Sequence, residues 1–136
     1  MSLPRPTIFV IDDDPGMLRS IERLLIACGH HVQVFNSAEA FLDNTNPDEA
    51  GCLLLDINLG GMSGIELRRR LTFSGKSVPV IFMTAQDSDV IRRAACEAGC
   101  SAYLSKPFPA KQLIDAIEKA IAGCYGASSL APTEFE

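Results

Sequence analysis

The chain has 136 residues, 47% of them hydrophobic, with a formal net charge of −5 and five cysteines. That length fits one domain with a proper core, and the apolar content excludes an intrinsically disordered chain. Acids and bases are interspersed without a basic stripe, which argues against direct nucleic-acid binding, and no apolar run approaches a membrane span of ~20 residues.

Met1–Pro6 reads as an N-terminal extension (residues 1–6) without the apolar core of a signal peptide. The first predicted strand, Ile8–Ile11, stops at Asp12-Asp13-Asp14, where Asp14 suits a helix N-cap and Pro15 the first helical position. Met17, Ile21, Leu24, Leu25 and Cys28 then form a helical stripe that Gly29 ends. His31–Phe35 alternates apolar and polar residues, as expected for a strand near a sheet edge, and His30-His31 at its start fits a surface role better than metal ligation. Ser37 caps a short helix carrying Ala40 and Phe41, and Asn44–Gly51 reads as a loop.

Cys52–Leu55 is apolar throughout, the mark of a central strand, and it stops at Asp56. A glycine-rich loop over Gly60–Gly64 leads into a helix with Ile65, Leu67 and Leu71 inward and Arg68, Arg69 and Arg70 facing water. Val78–Met83 is the next buried strand, tolerating Pro79 at its start and ending at Thr84. Ser88 or Asp87 caps a helix to Ala98, closed by Gly99. Ala102–Leu104 is a short last strand ending at Ser105-Lys106-Pro107, and Pro109–Ala122 is a final amphipathic helix. From Gly123 the pattern dissolves into a tail or linker, leaving one domain over residues 7–122 and a tail over 123–136.

The period switches repeatedly between short apolar runs and helical spacing, which signals βαβ units and an α/β fold with a parallel sheet covered on both faces. The odd cysteine count, with most cysteines inside apolar patterns, speaks against a disulfide framework and for a reducing, cytoplasmic setting. Cys96 and Cys100 are four apart, but no second Cys or His pair accompanies them, so a metal there is weakly signalled.

In an open parallel sheet the carboxyl ends of the strands share one edge, where ligands bind. Asp12, Asp13, Asp56, Thr84 and Lys106 all follow apolar runs and would meet at that edge. Clustered carboxylates suit a hard divalent cation, Mg2+ with Mn2+ as a substitute, and a backbone carbonyl after Asp56 could complete the shell. A metal and an ammonium together would neutralise a phosphoryl group moving onto Asp56, with the Thr84 hydroxyl donating to it. Crowded carboxylates also imply a raised pKa for at least one of them. Each piece alone has an ordinary structural explanation, a capping turn or a surface Lys-Pro; their conjunction in chain order points to a site.

Ile11-Asp12-Asp13-Asp14, Leu55-Asp56-Ile57-Asn58-Leu59, Gly61-Met62-Ser63-Gly64, Phe82-Met83-Thr84-Ala85 and Tyr103-Leu104-Ser105-Lys106-Pro107-Phe108 together resemble the receiver domain of two-component response regulators, in wording closest to the FixJ type. The resemblance covers Thr7 to about Ala122. It implies a flavodoxin-like, CheY-like doubly wound sheet of five parallel strands in the order 2-1-3-4-5. It makes Asp56 the phosphoacceptor, Asp12 and Asp13 metal ligands with Asp56, and the backbone carbonyl of Asn58 a further ligand. Thr84 becomes the switch hydroxyl, Tyr103 the switch aromatic and Lys106 the phosphoryl contact, with a cis Lys106–Pro107 bond. One departure is Gly60, where the family usually has Pro; Gly60-Gly61 should loosen the loop beside the site.

The expected function is a switch rather than an enzyme. A sensor histidine kinase or phosphotransfer protein hands a phosphoryl group to Asp56 with Mg2+ bound, and the surface of the last two helices and last strand responds. A homodimer through that surface, and a DNA-binding output domain following in a longer protein, are both compatible with the chain. Ala85 leaves room at the site, while Asn58 and Gln86 could orient a hydrolytic water and limit the aspartyl phosphate to minutes. The alternatives are a degenerate receiver that only binds proteins, and an aspartyl-nucleophile phosphatase of the haloacid dehalogenase kind, for which Asp12 and Asp14 have the right spacing.

Overall fold

Alternation along the strands decides which residues face which helical layer. The computed structural model describes residues 6–45 and 50–126, and expectations for the extension before Pro6, the loop interior at 46–49 and the tail beyond 126 lie outside them. In chain order the elements are β1 (Thr7–Ile11), α1 (Pro15–Ala27), β2 (His31–Phe35), α2 (Ala38–Asn44), β3 (Ala50–Asp56), α3 (Gly64–Phe73), β4 (Val80–Thr84), α4 (Asp89–Ala98), β5 (Ala102–Ser105) and α5 (Ala110–Gly126). The five strands pair in parallel in the order β2-β1-β3-β4-β5.

Ile8, Val10, Cys52, Leu54, Ile81, Met83 and Leu104 turn to one face, where Leu18, Ile21 and Leu25 of α1 and Leu113 and Ile117 of α5 cover them. Phe9, Ile11, Leu53, Leu55, Val80 and Phe82 turn to the other, against Phe41 of α2, Leu67 and Leu71 of α3 and Ala95 of α4. The period of two is the reason: neighbours on a strand point to opposite sides. Phe9, Phe35 and Phe41 meet edge to face with centroids 5.5 to 5.9 Å apart, fixing α2 against β1 and β2.

Local signals placed most boundaries. Asp14 accepts from Gly16 N and Met17 N at the start of α1, with Pro15 in the first turn. Ser37, Ser63 and Ser88 cap α2, α3 and α4 through the N–H three residues on. Ser88, rather than Asp87, is therefore the α4 cap. Gly29 (φ 91) and Gly99 (φ 96) follow α1 and α4 in the left-handed half of backbone space that favours glycine.

Other boundaries depart from expectation. β3 begins at Ala50, inside the expected loop, because Thr7 extends the ladder to it. β4 begins at Val80 rather than Val78; Pro79 lacks an N–H for the ladder, though its carbonyl accepts from Leu53 N at 2.9 Å. The last helix runs on through Gly123 to Gly126, past the expected boundary at residue 122. One glycine weakens a helix by about 1 kcal/mol without ending it. Cys28, expected on the apolar stripe, is exposed, while Leu18 takes the buried place. No helix among the described residues is long and apolar enough to cross a membrane.

Candidate functional site

Strand register brings the ends of β1, β3, β4 and β5 to one edge. Ile11 pairs with Leu55, Asp56 with Met83 and Thr84 with Ser105, so the residues following these strands are neighbours. Asp12 continues β1 by donating its N–H to Phe35 O at 3.1 Å, then turns the chain by accepting from Asp14 N at 3.0 Å. Asp12 is fully buried, Asp13 beside it is exposed, and Asp14 is spent on capping α1. Asp14, the second acid of the Asp-x-Asp pair on which the phosphatase alternative leaned, caps α1 and is not one of the three clustered acids.

Asp56 is 4% exposed, and its Oδ1 accepts from Asn58 N at 3.2 Å. Asn58 is itself exposed, so its backbone rather than its side chain meets the acid. The following loop folds back by donating Gly64 N to Ile57 O at 3.1 Å. A Cβ at Gly64 would run into the Asp56 carbonyl, so only glycine permits this approach. The loop is also pinned from outside, because Glu39 Oε2 on α2 accepts from Met62 N at 2.9 Å. A Cβ at Gly61 would sit 2.7 Å from that oxygen, whereas one at Gly60 meets nothing closer than Asp13 Oδ2 at 4.0 Å. The loop holding Gly60-Gly61 is thus linked to α2 by a contact that no local pattern announced.

Lys106 supplies the positive charge. Its Nζ lies 2.7 Å from Asp12 Oδ2 and 3.5 Å from Asp56 Oδ2. Burial raises the Asp56 pKa to about 6, helped by the Asp12 charge and opposed by Lys106 and the Asn58 N–H. Burial works against the charged lysine, yet the hydrogen bond to Asp12 and the charge of Asp56 outweigh it and hold its pKa above the ordinary value. One carboxylate oxygen from each of Asp12, Asp13 and Asp56 lies within 4.8 Å of the others. An all-oxygen donor set of that charge fits a hard divalent cation.

Thr84 is fully buried, and its Oγ1 accepts from Gln86 N at 3.0 Å. Lys106 N donates to Thr84 O at 2.8 Å, and the Lys106–Pro107 peptide is cis. Ala85 and Gln86 are exposed on the rim. Tyr103, the expected switch aromatic, donates its hydroxyl to Asp87 at 2.9 Å, and its ring lies under the Arg92 guanidinium at 4.7 Å. Burial and then the Asp87 hydrogen bond push the tyrosine pKa up to about 12.

Several contacts here were not legible from sequence. Glu39 and Arg92 carry no motif, and Asp87 and Ser105, named only as a possible cap and as part of the last-strand motif, act here through partners distant in the chain. Arg68, expected to face water with Arg69 and Arg70, is half-buried and donates to Gly99 O at 2.9 Å and Val78 O at 3.0 Å. It ties α3 to the ends of β4 and α4.

Residues 8–118 match the response regulator receiver domain. The chain belongs to that family. Among its relatives, the response regulator protein TodT of Pseudomonas putida is 33% identical over 121 residues, covering 89% of this chain and 53% of TodT. The transcriptional regulatory protein FixJ of Bradyrhizobium diazoefficiens is 36% identical over 114 residues, covering 84% of this chain and 56% of FixJ. The crystal structure of FixJ-N superposes with a TM-score of 0.80 at 31% identity, covering 95% of this chain and 99% of that one. The chain spans about half the length of the curated relatives it matches. It is a receiver of two-component systems, and its sheet order is that of the CheY-like fold.

Proposed function

We propose that this receiver accepts a phosphoryl group on Asp56 from the phosphohistidine of a sensor histidine kinase or phosphotransfer protein. The carrying observation is a buried carboxylate at the end of the central strand, 3.5 Å from Lys106 Nζ, within a three-carboxylate cluster. The ionised Asp56 oxygen attacks phosphorus; an O–P bond forms as the N–P bond breaks, and the donor imidazole leaves with the electron pair and takes up a proton. Asp12, Asp13 and Asp56, with the Asn58 backbone carbonyl, would hold Mg2+ (or Mn2+), whose charge neutralises phosphoryl oxygens.

The residues of the chain do the rest. Lys106 offers its ammonium to a phosphoryl oxygen, exchanging part of its contact with Asp12 and Asp56. Thr84 accepts from Gln86 N through oxygen, which leaves its own proton to donate to the phosphoryl group. Tyr103 then moves inward behind Thr84, and the surface of α4, β5 and α5 changes its partners, a second copy of the chain among them. In a longer protein that surface would control an output domain, as the curated relatives' greater length allows. Ala85 leaves the site open, and Asn58 and Gln86 limit the adduct to minutes, so the chain is a stoichiometric acceptor with slow self-hydrolysis.

The test is intact mass after incubation with acetyl phosphate or phosphoramidate. One added phosphoryl that requires Mg2+ and is absent from Asp56→Asn supports the reading. No adduct on wild type, with histidine kinases failing too, would leave a degenerate interaction module.

A further inference from the structure

Donors from two elements converge on Asp87, an acid that phosphoryl transfer does not use. Tyr103 Oη donates to its Oδ1 at 2.9 Å, while Ser105 Oγ and the Arg92 guanidinium each donate to Oδ2 at 2.7 Å. Tyr103 and Ser105 flank Leu104 on β5, so both project to the same side of that edge strand. Arg92 lies near the start of α4 and also covers the Tyr103 ring. Hydrogen bonds from Ser105 and Tyr103 hold the Asp87 carboxyl below its ordinary range, so the acceptor stays ionised at neutral pH.

Position makes this cluster consequential. Asp87 is three residues beyond Thr84, on the loop that the Gln86 N–Thr84 Oγ1 turn stiffens. Its donors sit on a strand and a helix that the core holds in place. A shift of that loop carrying the Thr84 hydroxyl toward a phosphoryl oxygen would pull Asp87 off these donors. The same cluster holds the tyrosine hydroxyl at Asp87.

We propose that Asp87 is a positioning residue for phosphorylation: acting through Tyr103, it holds the β4–α4 loop in the resting conformation and lowers the site's affinity for a phosphoryl group. The proposal rests on the function proposed above. A ligand that binds only the conformation with the cluster broken binds more weakly by the factor with which the cluster favours rest. The exposed setting keeps that factor small enough for phosphorylation to overcome.

The experiment measures the affinity of the full chain for beryllofluoride with Mg2+, a mimic of the acyl phosphate, by NMR titration. Asp87→Ala should bind about five- to tenfold more tightly than wild type, as loss of charge-assisted hydrogen bonds that oppose binding allows. Tyr103→Phe keeps the ring and loses one hydrogen bond, so it should shift the same way by about two- to threefold. The double variant should bind no more tightly than Asp87→Ala, since both changes cut one tie. A purely structural role would lower the melting temperature and leave affinity unchanged or weaker; that result in both single variants overturns the proposal. If Asp87→Ala does not fold, Tyr103→Phe decides alone. If wild type binds no beryllofluoride, the acceptor reading fails and this proposal falls with it, whereas normal wild-type binding with unshifted variants removes the proposal only.

Discussion

Among the described residues, Asp12 and Asp87 each accept from a cation at 2.7 Å, and their surroundings separate them. Asp12 and Lys106 have side chains 0% and 13% exposed; Asp87 and Arg92 are 33% and 53% exposed. In the interior, charges attract strongly but cost much to desolvate, so neither partner can be lost without leaving an uncompensated charge. At the surface, water screens the pair and it breaks easily. Equal distances therefore serve different ends: the buried pair keeps opposite charges together where water cannot replace either, and the exposed cluster is a contact that a conformational change can make and break.

Removing Lys106 should give the largest effect. Lys106→Met leaves Asp12 and Asp56 facing each other without a cation, and urea unfolding in EDTA at neutral pH should show a loss of about 3 kcal/mol. Phosphoryl incorporation from phosphoramidate should fall with it. A stability change near zero would place the pair with the surface contacts instead.

Arg68 stands between the extremes. Arg68→Ala removes donors to the Val78 and Gly99 carbonyls, and denaturant unfolding should report a loss of about 2 kcal/mol. Arg69→Ala, whose side chain is exposed, is the matched control and should change little.

Asp56 tests the buried side through pH. Its folded pKa of about 6 lies above the ordinary 3.8, so the folded state holds the proton more tightly than the unfolded chain. The associated stability is fully present below the unfolded value and is lost as pH rises through about 6. In metal-free buffer, Asp56→Asn should therefore be more stable than wild type at pH 7.5, by on the order of 1–2 kcal/mol, with the gain vanishing near pH 4. An equal difference at both pH values would mean that the acid is not held protonated by burial.

Arg92→Ala should have the smallest effect on stability, with no measurable change in the unfolding midpoint. A large drop there would show that the exposed cluster holds the fold and is not an adjustable contact.

Legibility followed the same division between local and distant causes. Each strand end that bears a site residue is an apolar run meeting a polar residue, so Asp12, Asp56, Thr84 and Lys106 could be placed at one edge from spacing and topology. Asp14, Ser37 and Ser88 mark helix starts through N–H partners three or fewer residues away, whereas Ser63, read as part of a glycine-rich loop, caps α3 in the same way. Asp87 could not be found this way, because its donors lie on α4 and β5 and depend on how those elements pack. Arg68 in a run of three arginines looks solvated until α3 is set beside the ends of β4 and α4. Glu39 is similar, since only the fold brings α2 to the loop at Met62. Tyr103 was expected as a switch aromatic from a resemblance alone, and the contact of its hydroxyl with Asp87 was not legible, since it depends on how β5 meets the β4–α4 loop.

The most direct measurement is borohydride reduction of the phosphorylated chain followed by peptide mass analysis, because reduction of an acyl phosphate converts the aspartate that carried it to homoserine. The account predicts homoserine at position 56 and nowhere else, dependent on Mg2+ during phosphorylation. Homoserine at position 12 or 13, or a phosphoryl adduct that yields no homoserine, would contradict it.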